Sequence, residues 1–297
     1  MQVIIAGGSG FLGGALSKRL QAEGHQVAIL TRRPRPGAAD QIQWQPDGTA
    51  GVWADALTGA DAIVNLAGEG IADARWTEER KTALRQSRLL STRSLVTAIQ
   101  RLAKPPGVLV NASGIGYYGD RGAQTVTETT PAGDDFLARL CVDWEREAEQ
   151  ASTMTRVAIL RSAPVLHPSG GALSRMLLPF RLGLGGRLGS GAQYFPWIHR
   201  DDWVSFALWM VRTADARGAF NATAPAPVTN AEFTRALGKA LRRPALIPVP
   251  AFGLRLVLGE LGKTLLIGQR AIPARAQEMG FTFRFPQIDV ALSNLLT

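Results

Sequence analysis

The sequence predicts an α/β protein: a doubly wound parallel sheet followed by a smaller C-terminal α+β region. Three observations carry the prediction. A β-branched run, Gln2-Val3-Ile4-Ile5-Ala6, leads directly into Gly7-Gly8-Ser9-Gly10-Phe11-Leu12-Gly13, and then into Ala15, Leu16, Leu20 and Ala22 at helical spacing. Apolar runs of strand length recur at 26–30, 62–66, 108–113 and 156–161, with helical stretches between them, as in successive βαβ units. After residue 165 the composition changes, and 166–200 becomes loop-rich with Gly170, Gly171, Gly183, Gly185, Gly186, Gly189 and Gly191.

Each element has its own signal. Gly24-His25 ends the first helix, and the strand at 26–30 closes on Thr31-Arg32-Arg33. A third strand is expected at 41–45, before the turn Pro46-Asp47-Gly48. The strand at 62–66 runs into Ala67-Gly68-Glu69-Gly70, small residues where a ligand crevice needs close backbone approach. Thr77 caps a helix that runs to about Arg101, and Glu78 and Glu79 suit its positive end. The strand at 108–113 ends in Ser113-Gly114-Ile115-Gly116-Tyr117-Tyr118-Gly119, and a helix follows over 134–150. A helix at 201–213 and a short strand at 219–222 are expected to return to the first domain. The division is therefore 1–165 with 201–222, and 166–297 for the remainder. In that remainder Thr229-Asn230 caps a helix at 231–241, and Phe281-Thr282-Phe283-Arg284-Phe285 alternates as a strand does.

Composition narrows the function classes. The chain has 297 residues, 46% of them hydrophobic, and a mean hydropathy of +0.02, with no uninterrupted apolar stretch long enough to span a bilayer. No membrane partner is expected. Net charge is +9 and the pI about 10.5, but the cations are scattered without a dense basic run, so a grip on anionic small molecules is favoured over nucleic acid. The opening strand leaves no place for an apolar leader, and a single cysteine, Cys141, fits a reducing compartment, so a cytoplasmic protein is expected. No His/Cys/Asp spacing points to a metal.

The first turn carries the chemistry. Glycine lets the backbone approach a pyrophosphate, whose charge then faces the free N–H groups of a helix start. Gly7, Gly10, Phe11, Leu12 and Gly13 are assigned to that role, with Leu66, Ala67 and Gly68 at the neighbouring strand end. Beyond the second strand an NAD site places an acid on the ribose hydroxyls; here stand Thr31, Arg32 and Arg33, which suit a 2′-phosphate and hence NADP(H).

The spacing Gly7-x-x-Gly10-x-x-Gly13, together with Asn65-Leu66-Ala67-Gly68, Trp76-Thr77-Glu78-Glu79-Arg80-Lys81, Gly116-Tyr117-Tyr118-Gly119, Trp197-Ile198-His199 and Pro227 to Phe233, resembles the epimerase-like atypical branch of the extended short-chain dehydrogenases/reductases. The resemblance covers nearly the whole chain. It implies a Rossmann domain and matches Ser113 to the catalytic Ser/Thr at the end of the fifth strand, where it also borders the cofactor. The family's Tyr-x-x-x-Lys is absent: Arg121, Gly122 and Ile198 follow Tyr117, Tyr118 and Tyr194 at that spacing. Aligning Glu145 with the family's helix acid puts Leu137 and Cys141 at the Tyr and Lys positions. Ser113, Tyr117 and Tyr118 remain as catalytic candidates. His199 and Arg200 are candidates on the substrate side, where Arg175, Arg181 and Arg187 are also available to clamp an anion. The expected function is an NADP-dependent oxidoreductase or epimerase acting on a small polar, anionic or nucleotide-linked substrate through a non-standard site. The alternative is a non-catalytic NADP(H)-binding sensor.

Overall fold

The computed structural model describes residues 1–296. Seven runs form one sheet: β1 (Gln2–Ala6), β2 (Gln26–Thr31), β3 (Gln41–Gln43), β4 (Ala62–Asn65), β5 (Val108–Gly114), β6 (Arg156–Ser162) and β7 (Gly218–Ala222). Their spatial order is β7-β6-β5-β4-β1-β2-β3, and every neighbouring pair is parallel. The order reverses between β1 and β4, and in such sheets a ligand crevice opens at the carboxyl ends beside that point. Both faces are covered, which is why Val3, Ile4 and Ile5 are all wholly buried and β1 shows no polar alternation.

The helices are α1 (Phe11–Ala22), α2 (Glu78–Arg101), α3 (Phe136–Glu149), α4 (Gly171–Arg181), α5 (Arg200–Arg212), α6 (Asn230–Leu241), α7 (Ala251–Leu258), α8 (Glu260–Thr264), α9 (Ala274–Glu278) and α10 (Ile288–Leu296). Local chemistry starts several of them. The Thr77 hydroxyl accepts the Arg80 N–H at 3.1 Å to open α2, Asp135 accepts the Ala138 N–H at 2.8 Å to open α3, and Thr229 with Glu232 forms a full capping box for α6.

One face of the sheet packs Val3, Ile5 and Val110 against Leu16 and Leu20 of α1 and Phe206 and Met210 of α5. The other packs Ile4, Ile63 and Leu109 against Leu95 and Ile99 of α2. A third cluster joins Leu177 and Phe180 of α4, Phe233 and Leu237 of α6, and Leu292 of α10 around Trp197. Residues 200–222 belong with the sheet: α5 lies on α1, and β7 extends the β6 edge.

The alternating stretch Phe281 to Phe285 is not a strand. Its backbone is captured instead: the Arg284 and Phe285 N–H groups each donate to the Asp202 carboxylate at 2.9 Å. Phe281 and Phe283 both turn onto Phe206, so the alternation serves packing without a partner strand. Among the described residues no helix is long and apolar enough to cross a membrane.

Candidate active site

The glycine turn is shaped by contacts that no side chain could share. Gly7 has φ +79°, and a Cβ there would meet the Leu66 carbonyl at 2.9 Å. A Cβ on Gly13 would lie 2.4 Å from the Gly7 oxygen. The turn is thereby drawn onto the end of β4, and Gly10 becomes the N-cap of α1 with no side-chain cap and no acid in the first turn. The first N–H groups of α1 are left for an outside acceptor, the arrangement an anionic diphosphate requires.

Next to this turn opens a cleft of about 950 Å³. Gly7, Ser9 and Gly10 form one wall, Leu66, Ala67 and Gly68 a second, and Thr31, Arg32 and Arg33 the far end, with Trp44 at the end of β3. Phe11, Leu12 and Gly13 are in the first turn of α1. The Ser9 and Thr31 hydroxyls are 3.4 Å apart. Arg32 and Arg33 are exposed, and neither has an ion-pair partner among the described residues. A dinucleotide with an added phosphate therefore fits the residues present: a small-residue cradle for the diphosphate and two free guanidinium groups one strand away. Ser9 and Trp44 were not foreseen, although Ser9 stands inside the glycine run itself.

Beneath the end of β4 lies a buried polar network. The Asn65 amide donates to Thr92 at 2.9 Å and to Asn111 at 2.7 Å, and the Trp144 indole donates to Thr92 at 2.8 Å. Arg88 lies against Gly68, donating to the carbonyls of Leu84 and Glu69 at 2.9 Å each.

At the β5 end, Ser113 is buried and donates to Glu145 of α3 at 2.6 Å. Arg161 on β6 binds the same carboxylate with Nε at 2.9 Å and Nη2 at 2.8 Å, a bidentate pair. Burial opposes the Arg161 charge, but the Glu145 contacts outweigh it, and its pKa rises above the ordinary value. Arg161 also donates to the Tyr118 hydroxyl at 2.8 Å, which in turn donates to Asn221 at 2.7 Å. Tyr118 is wholly enclosed, and burial pushes its phenol up to about 12. It is placed in the wall and not at the crevice. Tyr117 is half-buried: its ring lies on the Arg161 guanidinium at 3.5 Å, and its hydroxyl has no hydrogen-bond partner among the described residues. Cys141 is buried and burial pushes its thiol up to about 11, and Leu137 packs beside Gly116.

On the substrate side His199 is turned inward. Its Nδ1 accepts the Asp201 N–H at 3.0 Å and caps α5, its Nε2 meets Asn294 at 3.2 Å, and its ring stacks on Phe285. Burial lowers its pKa to about 4, which keeps it neutral. Arg200 faces a smaller cavity of about 550 Å³ with Gly10, Lys18 and Ser169, and donates to His167 at 3.2 Å. Arg175 is taken by Asp73 at 2.6 Å and Arg187 by the Ser190 carbonyl at 3.2 Å, so these arginines act separately. No group of His, Cys, Asp and Glu able to hold a metal is present among the described residues.

Comparison with known proteins agrees with this architecture. Residues 3–222 match the model of the NAD dependent epimerase/dehydratase family, and residues 249–295 match a domain of unknown function (DUF1731). The chain is 41% identical over 301 residues to the epimerase family protein SDR39U1 of Bos taurus, covering 100% of both. A crystal structure of human SDR39U1 with NADPH superposes with a TM-score of 0.93 at 39% identity, over 100% of this chain and 99% of that one. A nucleoside-diphosphate sugar epimerase from Corynebacterium glutamicum superposes at 0.81 with 34% identity, over 100% of this chain and 58% of that one. With a glycine turn, parallel sheet and crevice of this form, and with matches of this extent, the chain belongs to the NAD dependent epimerase/dehydratase family.

Proposed function

We propose that this protein binds NADP(H) and acts as a reductase or epimerase on a small anionic or nucleotide-linked substrate. The observation that carries the reading is the unpaired Arg32-Arg33 couple at the end of the cleft that starts at the glycine turn. An NADPH-bound relative at 39% identity supports the cofactor, and a relative described as a nucleoside-diphosphate sugar epimerase supports the substrate class. A single, buried cysteine suits the cytoplasm.

When bound, NADP(H) supplies or accepts a hydride at its nicotinamide ring. The chain's part is to hold the cofactor and to move a proton. Gly7 and Gly10 cradle the diphosphate, with Gly13 packed against Gly7 to hold the turn, and Arg32 and Arg33 hold the 2′-phosphate with Ser9 and Thr31 beside them. Of the three candidate hydroxyls, only that of Tyr117 is free of protein partners, so Tyr117 is the proton donor or acceptor. Ser113 fixes Glu145, and Glu145 fixes the Arg161 on which the Tyr117 ring rests. Arg200 takes a negative group of the substrate from the side of α5.

Leu137 and Cys141 in place of the family's Tyr and Lys favour a second reading, a sensor that binds NADP(H) without turnover. Incubation with NADPH and a panel of sugar nucleotides and carbonyl compounds separates the two. Oxidation of NADPH, or epimerisation of a sugar nucleotide with added NADP+ and no net change in the cofactor, that Tyr117→Phe abolishes supports the enzyme; tight NADPH binding with no turnover of any compound supports the sensor.

A further inference from the structure

The segment of unassigned role, 249–295, contains a helix with no buried residue. In α7, Phe252, Leu256 and Val257 are 74%, 73% and 69% exposed. The neighbouring surface is equally apolar: Leu178 and Leu182, one turn apart at the end of α4, and Leu246 are 64–83% exposed. The two stretches are linked through their backbones. The Val249 N–H donates to the Arg187 carbonyl at 2.9 Å, and the Ile247 N–H to the Gly185 carbonyl at 3.3 Å, which ties the chain after α4 to the chain leading into α7. Exposed apolar side chains concentrated in two backbone-linked segments mark a docking surface.

Charge identifies the occupant. Arg181, Arg187, Arg242, Arg243, Arg255 and Lys263 are interleaved with these apolar side chains in sequence; all are exposed, and none is in an ion pair among the described residues. Between Ala172 and Arg200 there is no Asp or Glu. Between Phe233 and Gln277 there is one, Glu260, and it is bound to Lys81 at 3.0 Å. A second copy is disfavoured, because a two-fold contact would set these cations against themselves. In α7 the exposed Phe252, Leu256 and Val257 flank Arg255, the mixture of apolar and basic residues with which an interfacial helix rests on anionic headgroups.

We infer that the α4–α7 face rests on an anionic lipid bilayer, with Phe252 and Leu256 entering the interface and the surrounding arginines on the headgroups. This is peripheral contact, on which the lack of a membrane-spanning helix has no bearing. It gives the C-terminal segment a role that the dinucleotide site does not require.

Flotation of the full-length chain with phosphatidylcholine vesicles, with and without phosphatidylglycerol, tests the inference. The protein is expected to float with the anionic vesicles, to stay behind with the neutral ones, and to be released by salt. Phe252→Ser with Leu256→Ser abolishes flotation. Because α7 has no buried residue, the same variant keeps its melting temperature and its stabilisation by NADPH, which separates lost docking from lost folding. Arg181→Gln with Arg255→Gln lowers partitioning by roughly twenty-five-fold, a factor of about five per charge. Absence of flotation, equal flotation with both vesicles, or a dimer in light scattering that the Phe252/Leu256 variant dissociates would each overturn it.

Discussion

At the β2 end of the crevice two arginines are exposed and unpaired; at the β5 end a third, Arg161, is 4% exposed and bonded to Glu145, Tyr118 and the Tyr117 ring. The same side chain serves two purposes. A guanidinium kept in water and without a partner is available to a phosphate and adds little to stability. One sealed beside a carboxylate is unavailable to any ligand but fixes whatever touches it. The difference predicts that cofactor preference and the geometry around Tyr117 are separable by mutation.

The largest effect is expected at the sealed end. Glu145→Ala leaves Arg161 buried without a counter-charge and frees Ser113, at a cost of about 3–5 kcal/mol. Urea denaturation measures it, and a loss under about 1 kcal/mol would mean the pair is solvated in practice. At the open end, Arg32→Ala with Arg33→Ala should leave the urea midpoint unchanged and weaken NADPH binding by about 2 kcal/mol, roughly thirtyfold, with NADH binding unaffected.

His199 belongs to the closed part of the molecule, and pH exposes it. Its pKa falls from 6.5 to about 4 on folding, so between these values the unfolded chain binds the proton more readily. Stability is full above pH 6.5 and declines as pH drops toward 4, by at most about 1.4 kcal/mol per pH unit for this one site. His199→Asn, which retains a capping acceptor but does not titrate, should flatten that limb of the stability curve; an unchanged slope assigns the acid sensitivity elsewhere. The smallest effect concerns Cys141. With its thiol buried and pushed up to about 11, it should resist a thiol reagent in the native state and react promptly in urea.

Much of the open end was legible from residue order alone, because it is local. Strand, glycines and helix follow each other within Gln2–Ala22, and Arg32-Arg33 directly follow the next strand. The sealed end is assembled from residues far apart in the chain: Ser113 on β5, Glu145 on α3, Arg161 on β6 and Asn221 on β7. Nothing in the spacing of Glu145 and Arg161 announces an ion pair, since a helix and a strand meet only through the tertiary fold. Tyr117 and Tyr118 illustrate the limit: neighbours in sequence, they diverge because the 3₁₀ turn at Ile115–Tyr118 sends one phenol into the core and leaves the other at the edge. The alternation at Phe281 to Phe285 misled for a related reason, as packing on α5 produces it without a strand.

The central claim is that the free arginines after β2 select the phosphorylated cofactor. Calorimetric titration of the unmodified protein with NADPH and with NADH tests it directly. The account predicts NADPH binding tighter by about thirtyfold, the equivalent of about 2 kcal/mol. Equal affinities for the two would contradict it.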